Sequence, residues 1–125
     1  MALKNLGPMH AVGSDIVHTS VVFKPNGVGV PVLSWGPAVS GVVRTDVGKH
    51  TVTLKDAVYG VVGGGFCNKP SGAAQYFIRI DHTVSSADVV VYITTEAGVL
   101  TDIDLTGGGD ITLMLDCKQN PGAVK

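Results

Sequence analysis

No helix-length window of this chain carries an apolar stripe at the 3.6-residue spacing without a glycine or a β-branched cluster inside it. Short β-branched runs recur instead, each closed by turn residues. "SDIVHTSVVF" (14–23) ends at "KPNG", and "VGVPVLSW" (28–35) ends at "GP". "AVSGVVRTD" runs into "VGK", and "HTVTL" (50–54) sets His50, Val52 and Leu54 on one side of a strand with Thr51 and Thr53 on the other. "QYFIRID" (75–81), "DVVVYITT" (88–95) and "DITLMLDC" (110–117) repeat the form. With no helices to cover parallel pairs, about seven to nine short strands predict an all-β fold, an antiparallel β-sandwich or a small barrel. The one helical candidate is a single turn in "LKDAVYGV" (54–61).

A chain of 125 residues suits one domain, and residues 14–125 are expected to form it. Residues 1–13, punctuated by Gly7, Pro8 and Gly13, are expected to form a flexible N-terminal arm. "MALKNLGPMHAVGSD" has a lone lysine and no continuous apolar core, so the expectation is folding in a reducing cytoplasm without a signal peptide. Apolar runs such as "VVVYI" are far short of a membrane span. Charged residues make up 15% of the chain against about 25% in an average domain, so the surface must be unusually neutral. A net charge of −1 gives no electrostatic footprint for nucleic acid or an anionic membrane.

Several stretches invite a chemical reading. "YGVVGGGFCNKPSG" (59–72) suggests a phosphate loop, but its glycines are adjacent, Lys69 precedes Pro70 and no helix start follows. Gly63, Gly64 and Gly65 read better as a strand or bulge where another backbone passes closely. "TDIDLTGGGD" (101–110) offers Asp102, Asp104 and Asp110 to a cation, yet Leu113 stands where a calcium loop needs its glutamate. Ile103 and Leu105 alternate there as on a half-buried strand leading to a glycine turn. His10, His18, His50 and His82 lack metal-ligand spacing, and Cys67 and Cys117 lie too far apart in sequence for a local zinc motif. Both cysteines are expected as buried free thiols. No serine sits in a nucleophile elbow, and Asp81 and His82, as strand neighbours, face opposite ways. Catalytic residues, bound metals, cofactors and a small-molecule substrate are therefore not expected. With aromatics at 6%, a stacking platform is disfavoured, and Trp35 is expected to plug one end of the fold.

An apolar content of 45% leaves side chains for other chains to cover, which favours docking or self-assembly. "SGVVRTDVGKHTVTLKDAV" (40–58), a glycine-broken run, "QYFIRIDHTVSSADVVVYITTEAG" and the closing "DITLMLDC" together resemble short β-rich bacteriophage virion proteins. The likeness spans residues 20–118 and departs from the family's pattern at His50, where an aromatic residue is usual. It implies a non-enzymatic structural protein of the virion, made in the host cytoplasm. The role implied is capsid decoration: a cement protein on the capsid surface, a homotrimer that binds the major capsid protein and stabilises the shell. A tail, baseplate or fibre component contacting a host receptor is the alternative. An arm that reaches across a subunit boundary would place Leu3, Leu6, Met9 and His10 at the interface.

Overall fold

The computed structural model describes residues 16–69 and 75–119. Among them are eight β-strands and no helix: β1 (Ile16–Lys24), β2 (Val32–Trp35), β3 (Val39–Asp46), β4 (Lys49–Leu54), β5 (Gly60–Asn68), β6 (Tyr76–His82), β7 (Asp88–Thr95) and β8 (Asp110–Lys118). Every pairing is antiparallel, in the order β2-β1-β8-β5-β6-β7-β4-β3. The two strands at the ends of that order, β2 and β3, are consecutive in the chain. Residues 36–38 join them, with Val39 N donating to Gly36 O at 3.1 Å, so the connection draws the sheet's edges together and curls it into a nearly closed barrel. The residues 54–61 expected to try a helical turn instead leave β4 at Leu54, bend, and enter β5 at Gly60. Three β-branched valines and two glycines at Val58–Gly63 favour extended backbone over a helix nucleus.

Inward-facing residues follow the period of two that the sequence displays. Val21 and Phe23 of β1, Val52 and Leu54 of β4, Val89, Val91 and Ile93 of β7, and Ile111, Leu113, Leu115 and Cys117 of β8 form one core. Each fully buried aliphatic or phenyl side chain contributes about 1.5–3 kcal/mol relative to exposure. Strand β8 is the spine. It pairs with β1 from Ile111↔Phe23 to Lys118↔Ile16, and with β5 from Asp110↔Asn68 to Lys118↔Gly60.

The glycine run lies within β5. A Cβ at Gly63 would run into the carbonyl oxygen of Met114 on β8, whereas a Cβ at Gly64 would meet nothing within 4 Å. Close backbone approach thus explains Gly63, as the sequence predicts, and leaves Gly64 free to vary on packing grounds. Gly63→Ala is expected to destabilise the barrel by roughly 2 kcal/mol or more, while Gly64→Ala changes stability by no more than about 0.5 kcal/mol. Urea denaturation of the two variants checks the contrast, and equal effects would refute it.

Candidate functional site

The outer face of the barrel carries the feature that calls for a function. Cross-strand register aligns Trp35, Val22, Thr112, Phe66, Phe77 and Thr94 in one row across β2, β1, β8, β5, β6 and β7. The next row along the strands is Ser20, Met114 and Gly64, followed by His18, Asp116 and Val62. Trp35, Phe66, Phe77, Met114 and Val62 are each at least half exposed. Gly64 leaves a hollow among them because it has no side chain. The middle of this face holds no charge. Its rim is polar and of both signs: the His18–Asp116 pair, Lys24, whose Nζ donates to Gly109 O at 2.5 Å, Asn68 bonded to Asp110 at 2.7 Å, and Arg79 lying 4.0 Å over the Tyr92 ring. At the lower edge a depression of about 380 Å³ opens between Ile16, Tyr59, Val62 and Lys118.

Trp35 reaches this face through a backbone irregularity. Leu33 pairs with Phe23 and points inward, yet Trp35, two residues later, pairs with Val22, one residue away on β1. Two residues of β2 against one of β1 is a β-bulge, which re-aims the following side chain. Instead of plugging an end of the fold, as the sequence leads one to expect, Trp35 lies outside with its Nε1 donating to Ser20 Oγ at 3.2 Å. A second and smaller apolar surface flanks the gap between β2 and β3, where Val28, Val30 and Val43 line a shallow groove with Pro31 and Arg44. Val28 and Val30 are among the most exposed hydrophobic residues described.

Residues 101–109 are not the strand that their alternation suggests; they form an irregular plug across one end of the barrel. Ile103 and Leu105 turn inward, 7% and 5% exposed, and bond at the backbone to the segment after β1: Gly27 N to Ile103 O and Leu105 N to Pro25 O, both 2.9 Å. The alternation was therefore a true sign of half-burial without ladder pairing on both sides. Asp102 latches the plug. Arg44 Nε and Nη2 donate to its two carboxylate oxygens at 2.9 and 2.7 Å, and Gly48 N donates at 3.0 Å. Gly48 has φ +63°, and a Cβ there would stand 2.6 Å from Thr101 N, so the latch needs glycine at this turn. The Arg44 side chain holds the Asp102 carboxyl below the usual carboxylate range.

The remaining residues singled out from sequence separate in space. Asp104 accepts from Thr106 N and Oγ1, and Asp110 bonds Asn68, so the acids at 102, 104 and 110 serve three different partners. No group of three or more His, Cys, Asp or Glu residues converges among the described residues. Asp81 accepts from the His82 backbone, and His82 Nε2 contacts Ser86 O at 2.8 Å, a strand-end arrangement. Cys117 is buried beside a cavity of about 280 Å³ lined by Val17, Thr19, Leu54 and Val58 at the end opposite the plug. Cys67 is only half-buried, a departure from the expectation of two buried thiols; it lies near the end of β5. Burial pushes both thiols up, which disfavours the thiolate. Leu3, Leu6, Met9 and His10 lie outside the described residues. His50 is fully buried with neither ring nitrogen hydrogen-bonded. The sequence reading missed the outer aromatic face, because only cross-strand register aligns Trp35, Phe66 and Phe77.

No protein family, curated protein or solved structure matches the chain.

Asp102→Ala is expected to lower the urea midpoint at about pH 7 more than Asp104→Ala does, since only Asp102 ties the plug to two other segments. Asp102 has a lowered folded-state pKa, so its stabilisation is full above the ordinary carboxylate value of 3.8 and is lost as pH falls through the lowered one. The variant's deficit should therefore shrink in strong acid. A deficit that stays constant would show that the charge is not what holds the plug.

Proposed function

We propose that this is a non-enzymatic structural protein that acts by having its outer sheet face covered in an assembly. Following the sequence resemblance, the assembly is a bacteriophage virion and the role capsid decoration, with further copies of the chain and the major capsid protein as partners. The observation that carries this reading is the uncharged face bearing Trp35, Phe66, Phe77 and Met114 inside a polar rim. That anatomy is the one protein interfaces have: aromatic residues and methionine at the centre, charge at the edge. Three half-exposed rings, each with about half of an aromatic side chain's ~150–250 Å² left to bury, supply with Met114 and Val62 a large part of the ~800 Å² that each partner contributes to a standard interface. The valine-lined groove beside β2 and β3 gives a second contact surface, and a clamp between neighbouring subunits requires two.

The mechanism is mass action. A protein that binds only the assembled lattice stabilises it by RT ln(1 + [L]/Kd) at every site, so many modest contacts make one resistant shell. Net charge near zero removes long-range repulsion between copies crowded on such a surface.

Density-gradient separation of a lysate from the phage that encodes the chain tests this. The protein is expected in the band of filled heads, and a Phe66→Lys, Phe77→Lys double variant is expected to stay at the top of the gradient while melting like the native protein. Both side chains point into solvent, so the barrel tolerates their loss. Native protein missing from every particle band would overturn the proposal, and protein found only with tails would move the site of assembly from the capsid to the tail.

A further inference from the structure

His50 is the one buried polar residue described, and its position is unusual. It lies on β4 with its side chain inside the barrel, opposite Arg44 on β3 and Val91 on β7. Its ring is 0% exposed, packs on Phe23 with centroids 5.5 Å apart, and leaves both nitrogens without a hydrogen bond. A neutral imidazole tolerates this site at a cost, because one donor and one acceptor go unmet. An imidazolium would not, since two N–H groups and a full charge would sit in an apolar core. The buried residues that β1, β7 and β8 contribute to this core are Val21, Phe23, Val89, Val91, Ile93, Ile111, Leu113, Leu115 and Cys117, and the one titratable group among them, the Cys117 thiol, lies at the end of β8 away from the plug. The charges acting on the ring are Arg44 of β3, which opposes a second cation, and Asp102 of the plug, which favours one. Asp102 is already engaged by Arg44 and Gly48.

We propose that residues 101–109 form an acid-released plug, and that protonation of His50, sealed inside the barrel near it, is what releases it. The plug is the part of the wall that can open at least cost. It is tied by the Asp102 latch, by the backbone bonds of Gly27 and Leu105, by Thr101 N to Ile93 O, by Lys24 Nζ to Gly109 O, and by the burial of Ile103 and Leu105, whereas β8 is held along its length by ladders to β1 and β5. Opening brings water to the ring and uncovers Ile103 and Leu105 at the same end of the barrel as the exposed Val28, Val30 and Val99. Acid thus enlarges an apolar surface rather than merely loosening the fold.

The direction follows from linkage. Burial lowers the His50 pKa in the closed state, while the open state has the ordinary value near 6.5. The closed state is therefore fully favoured above that value and loses its advantage as pH falls below it, with the opening constant rising by at most about tenfold per pH unit for one proton. Asp102 is lost only in the separate window below 3.8.

Amide hydrogen exchange between about pH 7.5 and pH 5, corrected for the intrinsic chemical rate, tests the proposal. Protection at Gly27, Thr101 and Leu105 is expected to fall below about pH 6.5, while the β1–β8 ladder keeps its own, and His50→Leu is expected to abolish the fall. Flat protection at the plug, a parallel fall in the β1–β8 ladder, or an unchanged fall in His50→Leu would each overturn it. Should that variant not fold, the imidazole signals of the native protein decide. A charged His50 ring that appears only as plug protection is lost supports the proposal, and a ring that titrates normally beneath a protected plug refutes it.

Discussion

The fold depends on β8 being held between β1 and β5. Its alternating side chains Ile111, Leu113, Leu115 and Cys117 supply one wall of the core, and its backbone is paired on both sides along its length. That double pairing needs β5 to come close, and Gly63 permits it where any Cβ would strike the Met114 carbonyl. Because β8 is the last of the described strands and β1 the first, the ladder between them also joins the two ends of the described residues. Residues 36–38 join β2 to β3 and bring the sheet's two unpaired edges side by side without pairing them.

The outer face is the other side of the same ladders. Every inward Leu or Ile on β8 obliges its neighbours to point out, and on this chain those neighbours include Thr112 and Met114 rather than lysines and glutamates. The β2 bulge adds Trp35 to that surface. An aromatic face with no charge at its middle is a cost in solubility, which the proposed assembly would remove. The plugged end, with His50 beneath it, adjoins the rim of that face where Lys24 bonds Gly109, but its chemistry is different.

Much of this was legible in the chain. The strand class, the positions of most strands, the burial of His50, Val52 and Leu54, and the close approach at the glycines all follow from period-two alternation and turn residues. What was not legible depends on register. The destination of Trp35 turns on one extra residue in β2, and the row from Trp35 to Phe77 exists only because four antiparallel pairings bring distant residues level. The alternation at Asp102–Leu105 revealed burial but not its reason, since a plug and a strand hide alternate residues alike. The Asp102–Arg44 latch joins residues far apart in sequence, and nothing local to either announces it.

Trp35 is the single tryptophan of the chain and stands on the outer face, 58% exposed. Its fluorescence, recorded from free protein and from protein bound in the proposed assembly, reads directly whether that face is covered. A blue-shifted emission shielded from acrylamide in the bound state is the expected result. An indole as wet and as readily quenched when bound as when free would contradict the assignment of this face as the contact surface.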